Sequence, residues 1–290
     1  MDNFVTLQKD HRHVLDSDQH EAFYFLFSSQ DGEVSGLLRL LFGHETLLEL
    51  VLVRVGEQKY LRQKSQPWPV IDAPTFQVSG PNLTLDCLEP WQQWRIRVEC
   101  AAKEGLLPFS MDLTFRATTP PVCFGFDQFY KQMQQDGRLT GSIQTGEERW
   151  EGELLCYRDH SLGRRAMRSV KAWTIIDIPE RLYAVIITLP NDQFVRFGWT
   201  MTAEGQSIPL VAPELTENSI QDPQAGVEKW TFERLVPPNL WYMGSKGGEE
   251  TMRFEPQPGD RFEDKIGPAL FTSSRGERAV GFLEQSNAIE

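Results

Sequence analysis

Residues 22–57 read AFYFLFSSQDGEVSGLLRLLFGHETLLELVLVRVGE, and this stretch sets the fold class. Three short runs, Ala22–Ser28, Val34–Phe42 and Leu47–Val55, are rich in aromatic and branched side chains. Asp31-Gly32 and Val55-Gly56-Glu57 have the chemistry of hairpin turns between neighbouring strands. The same signals continue through Phe76–Val78, Leu83–Cys87, Trp94–Cys100 and Phe109–Arg116. Within the third of these, Arg95, Arg97 and Glu99 alternate with Trp94, Ile96, Val98 and Cys100, as on a strand that is wet on one face.

Thr119-Pro120-Pro121 interrupts the pattern. Phe124–Met133 then places Phe126, Phe129, Tyr130 and Met133 at helical spacing, which predicts a short helix with core contacts. After Gly137, strands are predicted at Leu139–Gln144, Trp150–Tyr157, Val170–Ile178, Leu182–Leu189, Phe194–Thr202, Lys229–Leu235, Glu250–Phe254 and Arg278–Leu283. Ser207–Val227 reads as a long surface connection. Gly244-Ser245-Lys246-Gly247-Gly248 lacks P-loop spacing and reads as a flexible hairpin turn. No exact internal repeat is visible. The expectation is an all-β chain of barrels or strongly curved sandwiches in two domains, residues 1–135 and 136–290, with one short helix near the junction.

The chain has 290 residues, with 29 basic against 41 acidic side chains and a net charge of −12. That balance disfavours nucleic acid and anionic membrane surfaces as partners. The opening MDNFVTLQKDHRH lacks the apolar run of a secretory signal, and no run of about 18 apolar residues predicts a membrane span. Cys87, Cys100, Cys123 and Cys156 form no CxxC pair, which argues against a structural zinc site and a disulfide scaffold. A reduced, cytoplasmic protein is expected; no oligomeric state is assigned.

The strand Trp150–Tyr157 (WEGELLCY) runs into Tyr157–Arg165 (YRDHSLGRR), where it is expected to end. On an extended chain Tyr157 and Asp159 share one face, about 7 Å apart, while Arg158 and His160 share the other. A carboxyl carried into an apolar cavity has a raised pKa and can donate a proton. Asp159 has a competing structural role, in an ion-pair network with Arg158, Arg164 or Arg165. His160 equally suits a bond that ties the following loop to the backbone. His11, His13, Asp16, Asp18 and His20 form a second cluster, read as a solvated N-terminal arm; no metal is assigned. Neither a G-x-S-x-G elbow nor a G-x-G-x-x-G fingerprint is present, and no cofactor is assigned.

The heptad Tyr157-Arg158-Asp159-His160-Ser161-Leu162-Gly163 resembles the Y-x-D-H-[N/S]-W-G signature of the carotenoid hydratase (hydroxyneurosporene synthase) family. It is also similar to the RDHSWG-x-R motif of bacterial lipocalin-like proteins, through Arg158–Ser161, Gly163 and Arg165. His20–Phe25, Glu89–Arg95 and Gly137–Gly141 are similar to other strands of that family. The resemblance implies two tandem lipocalin-like β-barrels, a ligand cavity near the domain junction, and acid chemistry by the aspartate and tyrosine of the signature, here Asp159 and Tyr157. Leu162 stands where the family has Trp, and the upstream His-x-Trp pair of the hydratases is absent.

These readings converge on a cofactor-independent hydratase, cyclase or isomerase for a hydrophobic small molecule, isoprenoid or polyketide-derived. Its expected catalytic residues are Asp159, Tyr157 and His160, and its expected ligand contacts are Trp94, Arg158, Trp173, Trp199 and Arg165. A carrier that holds such a molecule unchanged is the alternative, and a structural partner protein a third reading.

Overall fold

The computed structural model describes residues 10–102, 107–125, 130–164, 171–189, 191–202, 204–236, 239–244 and 261–289. Its described regular structure is antiparallel strand, apart from one 3-10 turn at Pro223–Ala225. The chain divides into two compact units, residues 1–29 with 33–165, and residues 30–32 with 166–290.

The first unit holds β1 (His20–Ser28), β2 (Val34–Phe42), β3 (Thr46–Val55), β4 (Gln58–Pro67), β5 (Gln77–Ser79), β6 (Leu83–Glu89), β7 (Gln93–Cys100), β8 (Phe109–Ala117), β9 (Val122–Gly125), β10 (Tyr130–Thr145) and β11 (Glu148–Gly163). They form one sheet in the order β4-β3-β2-β1-β11-β10-β8-β7-β6-β5, with β9 paired to β10. Most pairs are hairpins of sequence neighbours. β8 pairs with β10 across β9, and β1 closes on β11 in a seam where His20 faces Gly163 and Ser28 faces Leu155.

The sheet curls until distant strands meet. Glu49 of β3, fully buried, accepts hydrogen bonds from the backbone N–H groups of Asn82 and Leu83 and from the Asn82 amide, at 2.8, 2.9 and 2.5 Å. Gly80 lies so close to this carboxylate that a Cβ there would strike it. Tyr60 of β4 stacks on Phe109 of β8 at 4.9 Å. Inside the curl, Phe23, Phe25 and Phe27 of β1 pack with Leu38, Trp94, Ile96, Phe115 and Leu139. Each such side chain, fully buried, contributes roughly 1.5–3 kcal/mol.

The second unit holds β12 (Ala172–Ile178), β13 (Leu182–Thr188), β14 (Phe194–Met201), β15 (Ser207–Pro209), β16 (Glu214–Leu215), β17 (Ser219–Asp222), β18 (Val227–Arg234), β19 (Asn239–Gly244), β20 (Arg261–Ser273) and β21 (Arg278–Ile289). Its order is β15-β14-β13-β12-β21-β20-β18-β17-β16, with β19 paired to β20. This repeats the first unit strand for strand, β5 excepted. Its core includes Ile176, Ala184, Trp230, Phe232 and Phe271. Two curled antiparallel sheets of this kind make the chain a tandem lipocalin-like all-β protein.

Several local expectations change. The predicted helix at 124–133 is strand at its described residues, 124–125 and 130–133, and residues 126–129 lie outside the described residues. Pairing of β9 with β10 overrides the helical spacing there. Residues 136–163, allotted by sequence to the C-terminal domain, belong to strands of the first sheet, because β10 runs unbroken through residue 135. Ser207–Val227 is not a bare connection but carries β15, β16, β17 and the 3-10 turn. Glu250–Phe254 and residues 245–248 of the glycine-rich turn lie outside the described residues.

Candidate functional site

The strand ends inside the motif, at Gly163, and Tyr157–Gly163 is the second half of β11, paired on one side with β1 and on the other with β10. Continuous pairing fixes the period-two alternation, so the side chains of the motif divide between two faces.

The core face carries Arg158, His160, Trp94 and the N-terminal segment. Asp10 is wholly buried and forms an ion pair with Arg158 Nη2. It also accepts the Trp94 indole N–H at 2.8 Å and the Trp91 backbone N–H at 2.9 Å. The Arg158 guanidinium lies 5.0 Å from the Trp94 ring centroid, a cation–π contact that strengthens when desolvated. Burial works against the charged form of Asp10, yet Arg158 and His160 hold its carboxyl well below the usual range.

His160 stacks on Phe23 at 4.3 Å. Its Nε2 shares a hydrogen bond with Glu21 Oε1 at 2.9 Å, and its Nδ1 lies 3.8 Å from Asp10 Oδ1. His13 reaches the same carboxylate twice, by Nδ1 to Oε1 at 2.6 Å and by its backbone N–H to Oε2 at 2.9 Å. Burial alone would depress the His160 pKa, but Asp10 and Glu21 push it up to about 9. Glu21 is likewise held low, against its burial, by His13 and His160. The N-terminal segment is therefore not a solvated arm. Asp10, His11 and Arg12 are buried, and Leu15 packs in the core of the first unit. Arg12 exchanges backbone hydrogen bonds with Thr75, and its guanidinium lies 3.9 Å over the Phe42 ring.

The opposite face carries Tyr157, Asp159 and Ser161, in register with Leu26, Tyr24 and Ala22 of β1. On the other side they face Asp136, Gln134 and Gln132 of β10. Tyr157 is 2 % exposed and Asp159 7 % exposed. The Gln132 side-chain amide donates to Asp159 Oδ2, and the Tyr24 and Tyr157 rings lie 5.7 Å apart. Arg39 stands beside Tyr24 on β2, also buried.

The structure thus brings Tyr157 and Asp159 together, and separately brings Arg158, His160 and Trp94 together on the other side of the same sheet. Trp173 and Trp199 belong to the second sheet, on the face away from its core. There the Trp173 indole donates to Glu284 Oε1 at 2.6 Å, and Trp199 stacks on Tyr183 at 6.3 Å. Arg164 pairs with Asp18 at 2.6 Å, and Arg165 lies outside the described residues. Two site residues escaped the sequence reading, Asp10 and Glu21. The available signal was a carboxylate beside a histidine in Asp10-His11 and His20-Glu21.

Residues 6–216 match the family model described as a domain of unknown function, DUF7064. The chain belongs to that family. The DUF7064 match takes in the whole first sheet and β12–β16 of the second. No functionally curated protein matches in sequence. Among solved structures, the chain is similar to a protein described as an AttH candidate from Nitrosomonas europaea, with TM-score 0.67, 12% identity and 93% of each chain covered. It is also similar to kievitone hydratase from Nectria haematococca, with TM-score 0.61, 13% identity and 96% of this chain and 93% of that one covered. A third relative in fold is CghA, with TM-score 0.60, 9% identity and coverage of 95% and 89%. At these identities the likeness is one of fold, and it matches the lipocalin-like resemblance read from the motif.

Proposed function

We propose that this protein is a hydratase or cyclase that acts by acid-assisted chemistry on a hydrophobic small molecule. The observation that carries this reading is the pairing of Tyr157 with Asp159 on one buried face of β11, apart from the ion pairs of the other face. Asp159 serves as the proton donor toward an alkene or polarised carbonyl, and Tyr157 orients the reacting group. The Gln132 amide donates to Oδ2 of the carboxyl and so helps to orient it. An electron-deficient intermediate then takes up water in a hydratase or an internal group in a cyclase. Exclusion of bulk water protects that intermediate, and no cofactor is needed for these steps.

Two solved relatives in fold, kievitone hydratase and CghA, support the broad class, the former carrying a hydratase name. His160, Arg158 and Trp94 are proposed as the brace behind the reacting pair rather than as groups that touch substrate. An isoprenoid or polyketide-derived substrate is proposed from the motif, and a reducing cytoplasmic setting from four cysteines that form no CxxC pair.

The test is turnover of isoprenoid and polyketide-derived alkenes in deuterated water, with solvent deuterium in the product read by mass spectrometry. Asp159→Asn is expected to lose at least about 100-fold in turnover while binding persists. Undiminished turnover in that variant overturns the proton-donor role. A wild-type protein that binds these compounds and converts none is a carrier.

A further inference from the structure

We propose that His13, Glu21 and His160 form a site for a divalent first-row transition ion, zinc by the chemistry of the ligands, that pins the N-terminal segment to the first sheet. The three residues come from three separate pieces of chain: the N-terminal segment, β1 and β11. Their ligand atoms, His13 Nδ1, Glu21 Oε1 and His160 Nε2, lie within 4.8 Å of one another. Two imidazoles and one carboxylate are an established donor set for zinc, with a fourth position left for water. Donors around a tetrahedral zinc stand about 3.3 Å apart, from bond lengths of about 2.0–2.1 Å. The present 2.6 and 2.9 Å contacts to Oε1 need open by less than about 1 Å to admit an ion.

The surroundings suit an ion as well. His13 Nε2 and His160 Nδ1, the ring nitrogens turned away from Glu21, are buried without a hydrogen-bond partner among the described residues. Proton-mediated pairing uses only one nitrogen of each ring. A metal-ligating histidine is oriented through its second nitrogen, and Asp10 Oδ1, 3.8 Å from His160 Nδ1, is placed as that outer carboxylate. Asp10 is itself fixed by Arg158 and the Trp94 indole. Of the charges facing the site, Glu21 and Asp10 are anionic, Arg158 is neutralised by Asp10, and Arg12 opposes the ion across Glu21. Binding is a proton-for-metal exchange: the ion takes the ring lone pairs, and the protons that the imidazoles share with Glu21 leave to solvent. Entry is from the His13 side, whose side chain is 16% exposed against 0% for Glu21 and 1% for His160. The site lies on the core face of β11, so it stands or falls independently of Tyr157 and Asp159.

The experiment uses the whole protein after chelator treatment. Zn2+ is titrated in competition with a chromogenic chelator, and Co2+ is added separately as a spectroscopic probe. One equivalent of Zn2+, visible Co2+ bands of a tetrahedral N/O site and a raised melting temperature are expected. His13→Ala and Glu21→Gln are each expected to weaken Zn2+ binding at least tenfold and to abolish the Co2+ bands. Failure of the wild type to bind one equivalent overturns the proposal, as does unchanged binding by His13→Ala. If Glu21→Gln does not fold, His13→Ala, a change at the partly exposed ligand, carries the test, with circular dichroism confirming its fold.

Discussion

At the scale of the residue, Arg158 and Asp10 illustrate how much one buried pair can decide. Arg158→Met takes from buried Asp10 the guanidinium that pairs with it, at a cost of about 3–5 kcal/mol. Urea unfolding of the variant is the check, and the double variant with Asp10→Asn is expected to recover part of the loss. His160 adds a pH signature in chelator-treated protein. Its pKa is raised from 6.5 to about 9, so its contribution is complete below about pH 6.5 and is lost as pH rises through 9. Asp10 and Glu21 have lowered values, so their contributions hold above their ordinary values of 3.8 and 4.5 and fade below them. Unfolding free energy should therefore be greatest from about pH 5 to 6.5 and decline toward pH 10, with the alkaline decline flattened in His160→Asn. The period of two made the Tyr157–Asp159 face legible in sequence. The partners of Arg158 and His160 were not, because Asp10 and Glu21 are 148 and 139 residues away along the chain.

At the scale of the element, β10 and β20 use the same device. Each long strand changes neighbours midway. β9 pairs with residues 131–134 and β8 with residues 137–145 of β10, while β19 pairs with residues 261–266 and β18 with residues 269–273 of β20. Thr119 Oγ1 accepts the Asp136 N–H at the first change-over, and Pro268, which has no N–H, stands at the second. The change-over in β10 falls beside the helical spacing of aromatics that predicts a helix at 124–133, and no strand is expected from the sequence over residues 261–273. β4 escaped for a different reason. As an edge strand it carries Lys64, Ser65 and Gln66 instead of an apolar run, in keeping with protection of a sheet edge. Gly141 tests the packing of β10: with φ at 144°, a Cβ there would strike the Asp112 carbonyl. Gly141→Ala is expected to cost about 1–3 kcal/mol, measured as a lowered melting temperature.

At the scale of the whole molecule, one strand order serves twice, and the first and last long strands of each unit lie side by side. The sequence shows no exact internal repeat, because what recurs between the units is strand order and pairing. The arrangement predicts where the chain tolerates an end. Residues 1–165 hold the complete first sheet, whereas residues 1–135 lack β11 and so break the sheet between β1 and β10. A fragment ending at 165 should keep cooperative unfolding and slow amide exchange in β1, and one ending at 135 should lose both. Among the described residues no helix is long and apolar enough to cross a membrane. The seam between β1 and β11 also has a consequence in time. During synthesis Phe23, Phe25 and Phe27 emerge early, but the strand that covers their edge is not made until residue 163 has been added. Such non-local pairing is slow to form, and an open apolar edge invites association in the interval. Newly made chains should therefore lean on chaperones until β11 arrives, and a pause in translation before residue 148 should lower the yield of soluble protein more than one after residue 165.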